Sequence, residues 1–294
     1  MWETSAFIRF IDRKLIAEQM SSMKQFQQSM IQKLRDHYNG YDSEANLRDI
    51  CDGLITEAAK YRLAITEIGG QLSSEKTRQQ NQYLVDDNLG MCVYDIFIAG
   101  TETTNYTFVW MILFMTYYPE VQLKLRRELA TVIGDRLPSH EDRQRCDYTM
   151  AYISEILRFR NIVTEGVSHK VLVDEKLGNY FIPKDTVVNV YQGIVMRNDD
   201  ENYWSRGLDF MPERFLDESD GHYRKPSAAY IPFGGGSRKC IGERFVYSKL
   251  FLILVRLLQR TTHIVLDTNG GVGINPDIND FCVPFEFKIK LQTK

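Results

Sequence analysis

One cysteine follows a run of three glycines in the segment 233–242, FGGGSRKCIG. Consecutive glycines let a backbone approach a large flat ligand closely or adopt positive φ angles. A cysteine at the start of a helix lies near unpaired N–H groups and the positive end of the helix dipole, which favour its thiolate form. Because a thiolate is a strong donor to iron, Cys240 is a candidate metal ligand. The ordinary alternative for any single cysteine is a small buried apolar residue.

Two other interpretations of this segment are a phosphate-binding loop and a plain turn between a strand and a helix. The phosphate loop is disfavoured because its Gly-Lys-Ser/Thr ending is absent. The segment instead resembles the heme-binding loop of the cytochrome P-450 family, Phe-x-x-Gly-x-Arg-x-Cys-x-Gly. The matching residues are Phe233, Gly236, Arg238, Cys240 and Gly242. The resemblance implies that Cys240 is the axial ligand of heme iron and that Arg238 binds a heme propionate.

Two further segments carry the same resemblance. Glu155 and Arg158 are three residues apart on a predicted helix and can form an ion pair, although such pairs are usually solvated. Arg214 lies in a Pro-Glu-Arg-Phe segment that the family also has. The resemblance implies that these three residues form a buried structural triad, which holds the loop region behind the heme.

Residues 99–104, AGTETT, match the family pattern Ala/Gly-Gly-x-Asp/Glu-Thr-Thr/Ser on a long helix. Reduction of dioxygen consumes protons, which a hydroxyl and a nearby acid can supply. By resemblance Thr103 is the hydroxyl on the oxygen side and Glu102 is the acid, while Ala99 and Gly100 leave room at the cofactor. The alternative is that these threonines only bond to the preceding helical turn.

The remaining site residues are also implied by the resemblance. His169 matches a position that contacts a heme propionate, although a lone histidine is more often a packed or surface residue. The proline that usually precedes this position is Ser168 here. The substrate pocket is expected to be lined by Ile96, Ala99, Val163, Val167 and Phe281.

The elements that must position these residues are mainly helical up to residue 160. Helices are predicted over about 43–64, 84–117, 120–133 and 147–160 from apolar periodicity, with Pro119 at the first turn of the third. The helix at 84–117 is apolar on several faces, so we expect it to be buried.

The pattern changes after residue 160. Residues 161–232 are predicted to form a meander of strands and loops, with alternating strands between 167 and 191 and a loop-rich stretch from 193. The loop at 233–242 follows, and a last helix with two strands near 262–267 and 284–292 occupies 243–294. This predicts a mainly α fold with small β-sheets, the cytochrome P-450 fold without its N-terminal part. We expect one partial domain over 1–294.

Composition excludes several classes of protein. The net charge is −3 and no Lys/Arg stripe is interleaved with aromatic residues, so no nucleic-acid partner is expected. The five cysteines are scattered and odd in number, which disfavours a disulfide framework. The longest apolar run, 106–118, is shorter than the ~20 residues of a membrane span.

The functional prediction is a heme-thiolate monooxygenase of animal microsomal type, resembling steroid 17α-hydroxylase-like or aryl-hydrocarbon-oxidising branches. It implies heme b, O2, an apolar steroid- or xenobiotic-like substrate and electrons from an NADPH-dependent cytochrome reductase. The full-length protein is expected on the cytoplasmic face of the endoplasmic reticulum membrane, attached only through a part missing from this C-terminal fragment. Two alternatives stay open: a truncated, non-catalytic fragment, and a heme-thiolate isomerase or dehydratase, which Glu102 and Thr103 disfavour.

Overall fold

The structure is a computed structural model that describes residues 21–22, 24–37, 50–67, 86–198, 202–224, 228–267 and 288–293. The described residues are mainly helical, with three two-stranded antiparallel sheets, so the predicted mainly α class with small sheets is confirmed. The chain divides into two compact units, Met1–Thr101 and Glu102–Lys294. The assignment of residues 1–294 to one partial domain stays a prediction.

The first unit contains helix α1 (residues 24–37), helix α2 (Ile50–Glu67) and the beginning of helix α3 (Asp86–Tyr117). Its small core consists of Leu34, Cys51, Ile55, Ala58 and Leu89, with Val93 packed against it. Helix α2 ends at Glu67, three residues beyond the end of the 43–64 predicted for it. Its apolar periodicity continues to Glu67, and residues 43–49 lie outside the described part.

The second unit is built on the end of α3 and on helices α4 (Pro119–Val132), α5 (Asp147–Phe159) and α7 (Glu243–Arg260). These helices share one apolar core, in which Trp110, Phe114, Leu125, Ile153 and Leu254 are almost fully buried. Pro119 occupies the first turn of α4, as predicted.

None of the helices that the structure describes combines the length and apolarity needed to cross a membrane.

Helix α3 is only partly buried, which corrects the expectation of a buried central helix. Its C-terminal half carries Met111, Leu113 and Phe114 at 0% exposure, whereas Phe97 and Ile98 are 47% and 39% exposed. Apolar residues on several faces therefore predict burial only where other helices surround all of those faces, as they do in the second half of α3.

The strands form nested pairs rather than a meander of successive neighbours. Strand β1 (His169–Lys170) pairs with β4 (Val187–Val188), and β2 (Glu175–Leu177) pairs with β3 (Tyr180–Ile182) inside that pair. The last pair, β5 (Thr261–Leu266) and β6 (Ile289–Thr293), lies close to the predicted positions.

The stretch predicted to be loop-rich from residue 193 contains regular structure. It includes the short helix α6 (Gln192–Arg197) and 3₁₀ turns at Pro212–Phe215 and Gly236–Arg238. Another 3₁₀ turn, His140–Arg145, precedes α5. These elements span only three to six residues. A helical period is not recognisable over so few positions.

A buried carboxylate fixes the turn before α5. Asp142, which is 3% exposed, accepts hydrogen bonds from the backbone N–H of Ser139 (2.8 Å), from Arg136 Nη1 (2.7 Å) and from Arg145 Nη2 (3.0 Å). The hydrogen bond from Arg136 is the main cause that holds the pKa of Asp142 well below its ordinary value. Because the folded state lowers this pKa, the carboxylate stabilises the protein above its unfolded-state pKa and loses that contribution as the pH falls.

We expect Asp142→Asn to lower the free energy of unfolding at pH 7 by about 1–3 kcal/mol, the range for hydrogen bonds to a charged group. The difference from wild type should shrink as the pH falls below ~4, the unfolded-state value for aspartate. Urea unfolding at several pH values measures it. Glu120→Gln, at an exposed carboxylate on α4, is the control. A difference between Asp142→Asn and wild type that is unchanged on acidification would contradict the assignment.

Candidate functional site

Residues 233–242, here called the cysteine loop, lead from an irregular segment into helix α7. Gly234 and Gly236 have φ angles of +74° and +67°, which residues with a Cβ rarely adopt. The backbone N–H of Cys240 donates to the carbonyl oxygen of Phe233 (2.9 Å), and that of Lys239 donates to Gly236 (3.2 Å). The loop is therefore closed by its own backbone before any ligand binds.

The Cys240 side chain lies at the exposed tip of this loop, and its thiol is free. A Cβ added to Gly242, the residue that caps α7, would lie 3.6 Å from the Cys240 sulfur. Neighbouring apolar side chains are also open to solvent, since Ile241 is 89% and Phe245 is 62% exposed. An exposed thiol beside exposed apolar side chains is typical of a surface that binds an apolar ligand.

The described residues contain no group of three or more His, Cys, Asp or Glu side chains that could hold a bare metal ion. Among the described residues, too few side chains are therefore grouped to coordinate a bare metal ion at Cys240. Its other ligands would have to come from a cofactor. Heme meets this need, because the porphyrin supplies four nitrogen ligands and the protein adds an axial thiolate.

Two basic residues of the cysteine loop differ in their partners. Lys239 is paired with Glu243 at the start of α7. Arg238 is exposed and forms no ion pair with the residues that the structure describes, so its guanidinium is available to an anionic ligand. His169 is also exposed, on strand β1 opposite Val188.

Glu155, Arg158 and Arg214 are brought together beneath the surface, with side chains 0%, 0% and 6% exposed. Arg158 donates to both carboxylate oxygens of Glu155, from Nε at 2.6 Å and from Nη2 at 2.8 Å. Arg214 Nε donates to the same carboxylate at 3.2 Å, and so does the backbone N–H of Met211 at 2.7 Å. An isolated i, i+3 ion pair is usually solvated at the surface, whereas the Glu155–Arg158 pair is buried.

The two arginines of this triad carry one more charge than its single carboxylate neutralises. Backbone carbonyl oxygens accept their remaining N–H groups. Arg158 donates to the carbonyls of Met196, Gly207 and Asp209. Arg214 donates to those of Ser205, Arg206 and Asp209. The triad therefore fixes the path of an irregular segment that has few regular backbone partners.

The threonines of α3 behave in two ways. Thr101 donates to the carbonyl of Phe97 (2.6 Å) and Thr107 to that of Thr103 (2.8 Å), the local bonding typical of threonine in helices. Thr103 is half-buried and Glu102 is exposed, while the Thr104 hydroxyl is buried without a hydrogen-bond partner among the described residues. Both back-bonding and a chemical role are thus compatible with this segment.

The residues predicted to line the substrate pocket are mostly solvent-accessible. Val163 and Val167 are 38% and 69% exposed. Ile96 and Gly100 are half-buried and Ala99 is exposed, and these three lie in the first unit. Phe281 lies outside the described residues.

Sequence reasoning missed the side chains that support the base of the cysteine loop. Asn161, 6% exposed at the end of α5, donates from Nδ2 to the carbonyl of Pro232 (3.1 Å). Tyr230 and Tyr247 are also buried and bond to each other. The only sign of this role in the sequence is that Asn161 is a polar residue just after a buried helix. Its partner, Pro232, is 71 positions away, so local pattern does not reveal the bond.

Comparison with known proteins decides the family. A sequence model of the family described as cytochrome P-450 matches residues 1–277. The chain belongs to the cytochrome P-450 family. It is 36% identical over 238 residues to steroid 17-alpha-hydroxylase/17,20 lyase of Gallus gallus, covering 80% of the chain and 44% of that protein. It is 33% identical over 265 residues to the protein of that name in Rana dybowskii, covering 87% and 48%.

A third relative, cytochrome P-450 2D4 of Rattus norvegicus, is 34% identical over 247 residues, covering 84% of the chain and 46% of that protein. The chain thus spans about half the length of the curated relatives it matches. The predicted resemblance to animal cytochromes P-450, including the steroid 17α-hydroxylase-like group, is confirmed. The predicted fold class is confirmed with it.

Family membership implies a heme iron cofactor, and the residues of the cysteine loop fit this group. Its open face offers a free thiol, apolar side chains and an arginine with no ion-pair partner among the described residues. An iron porphyrin requires a donor to its iron, apolar contacts for its ring and a cation for its anionic propionates. The thiol, the apolar side chains and the arginine match these needs in turn.

The buried triad yields a stability prediction. We expect Arg158→Ala to lower the free energy of unfolding by about 3–5 kcal/mol, because it leaves the Glu155 carboxylate buried with less compensation. Lys170→Ala, which removes an ion pair whose two side chains are each 61% exposed, is the matched control and should stay close to wild type. Urea unfolding measures both variants. Equal losses in the two variants would contradict the role given to the triad.

Proposed function

We propose that this chain is part of a heme-thiolate monooxygenase. In the complete protein, one oxygen atom of O2 is inserted into an apolar organic substrate and the other is reduced to water. The observation that carries the proposal is the free, exposed Cys240 thiol on a loop closed by its own backbone hydrogen bonds. The proposed cofactor is heme b, whose iron the thiolate of Cys240 would hold.

The other residues of the loop serve binding. Arg238 pairs with a heme propionate, and His169 contacts a propionate from strand β1. Phe233, Gly236 and Gly242 would shape the loop that receives the porphyrin. Family resemblance assigns to Ala99 and Gly100 the role of leaving room at the cofactor. When bound, heme would supply the chemistry of dioxygen reduction and activation, and the Cys240 thiolate would donate electron density to it.

Protons for this reduction come from helix α3. The Glu102 carboxylate is exposed, so it exchanges protons with water. The half-buried Thr103 hydroxyl accepts a proton on one side and donates one on the other, which suits it to pass protons toward the oxygen-binding side. Glu155, Arg158 and Arg214 touch no substrate in this scheme and hold the protein behind the heme.

The substrate class is a steroid- or xenobiotic-like molecule. Two of the relatives are named steroid 17-alpha-hydroxylase/17,20 lyase, and the expected lining residues Ile96, Ala99, Val163, Val167 and Phe281 are apolar. An NADPH-dependent cytochrome reductase supplies the electrons, and the complete protein resides at the endoplasmic reticulum membrane, facing the cytoplasm. Family resemblance supports both assignments.

An isomerase or dehydratase that uses heme-thiolate chemistry without oxygen activation is the second candidate. The pair Glu102–Thr103 disfavours it, because such reactions do not consume protons in the reduction of dioxygen. A non-catalytic product is the third candidate, for the polypeptide taken alone.

The ligand assignment is tested by reconstituting the chain with heme, reducing it and recording the carbon monoxide difference spectrum. We expect a thiolate-type Soret band in wild type and its loss in Cys240→Ala. Cys92→Ala is the matched control, since Cys92 is also a free, exposed cysteine. A thiolate-type band that persists in Cys240→Ala would overturn the assignment, and no heme uptake by wild type would favour the non-catalytic fragment.

The proton role is tested by Thr103→Ala in a complete enzyme that contains this chain. We expect product formed per electron consumed to fall ~10-fold or more, because proton transfer by a positioned side chain typically contributes ~10²–10⁴ to the rate. Thr101→Ala, which removes a hydroxyl that among the described residues bonds only to its own helix, should leave coupling near wild type. Unchanged coupling in Thr103→Ala would exclude the role.

A further inference from the structure

Two buried tyrosines, Tyr230 and Tyr247, bond to each other at the base of the cysteine loop, where its two ends meet the rest of the chain. We call this hydrogen-bonded pair the clamp. Tyr230 lies just before the loop and Tyr247 lies one turn into α7, so the pair joins the entry of the loop to its exit. Their hydroxyl oxygens are 2.7 Å apart, and the two residues are 9% and 6% exposed. The ring of Phe233 lies against the ring of Tyr247, with centroids 5.7 Å apart.

The same clamp is anchored to helix α5. The Tyr230 hydroxyl donates to the carbonyl of Ser154 (3.2 Å), and Asn161 Nδ2 donates to the carbonyl of Pro232 (3.1 Å). A phenol has one proton to donate, so Tyr247 must be the donor in its bond to Tyr230. Tyr247 therefore donates to Tyr230, and Tyr230 donates to the carbonyl of Ser154. Ser154 lies on the helix that carries Glu155 and Arg158.

The tip of the loop has no comparable support from the described residues. Positions 235–241 are all exposed, and Cys240 is held by one backbone hydrogen bond to the carbonyl of Phe233. Phe233 is also the residue whose ring contacts Tyr247. The position of Cys240 is thus coupled to the clamp through one residue, Phe233.

We propose that the hydroxyl pair of Tyr230 and Tyr247 is a positioning device that fixes Cys240, acting through Phe233. Neither tyrosine touches the cofactor in this scheme, and both act on the placement of the thiol. Burial raises the pKa of both phenols, so each stays protonated and keeps its hydrogen bond at neutral pH. The inference rests on the proposed role of Cys240 as the heme ligand.

Tyr247→Phe is the most direct variant, because it removes one hydroxyl and keeps the ring against Phe233. Tyr230 would still donate to Ser154, so the change leaves no buried donor unpaired. The matched control is Tyr152→Phe, on α5, whose fully buried hydroxyl donates to the carbonyl of Met111 in the helical core. Tyr230→Phe removes two bonds and should have a larger effect than Tyr247→Phe.

The first measurement needs no heme. Hydrogen exchange of the Cys240 backbone N–H in the 294-residue chain reports opening of the loop. We expect this N–H to exchange about 5- to 10-fold faster in Tyr247→Phe than in wild type, the factor that loss of one hydrogen bond gives. It should be unchanged in Tyr152→Phe. Unchanged exchange in Tyr247→Phe, or equal acceleration in both variants, would overturn the proposal.

The second measurement uses the heme-loaded chain. We expect the reduced carbon monoxide complex of Tyr247→Phe to lose part of its thiolate-type Soret band, while Tyr152→Phe with a similar melting temperature keeps it. A full band in Tyr247→Phe would contradict the positioning role. If wild type binds no heme, the proposed function fails, and the exchange measurement still decides whether the clamp holds the loop.

Discussion

The second unit depends on the hydrogen bonds and ion pairs that the buried carboxylate of Glu155 accepts. Two arginines and one backbone N–H donate to it, and the arginines also donate to the carbonyl oxygens of Met196, Ser205, Arg206, Gly207 and Asp209. An irregular segment has few backbone partners of its own, so these side-chain bonds define its path. Removing any one of the three charged side chains leaves charge buried with less compensation.

Helix α5, which carries Glu155, also supports the cysteine loop. Ser154 on α5 and Asn161, two residues beyond the end of that helix, both contact the base of the loop. The loop thus has a buried base and an exposed tip, with Cys240 at the tip. This division suits a large cofactor, because the thiol must reach the iron while the backbone behind it stays in place. Heme binding would then cover the exposed side chains of Ile241 and Phe245.

The sequence reveals features that depend on local pattern. Resemblance to a family motif singles out Cys240 and its loop, and apolar periodicity predicts α4 and α5 to within one residue at each end and the end of α3 at Tyr117. Features that depend on distant partners are not recoverable in this way. The bond from Asn161 to Pro232 spans 71 residues, and the pairing of β1 with β4 encloses another strand pair. The exposed part of α3 was missed because apolar composition does not reveal which faces are covered.

The claim at the centre of this account is that the Cys240 sulfur is bonded to heme iron. X-ray absorption at the iron edge of the heme-loaded chain measures that bond directly, since sulfur scatters differently from nitrogen and oxygen. We expect one sulfur neighbour of iron in wild type and in Cys92→Ala, and only nitrogen or oxygen neighbours in Cys240→Ala. An iron without a sulfur neighbour in wild type, or a sulfur neighbour that persists in Cys240→Ala, would contradict it.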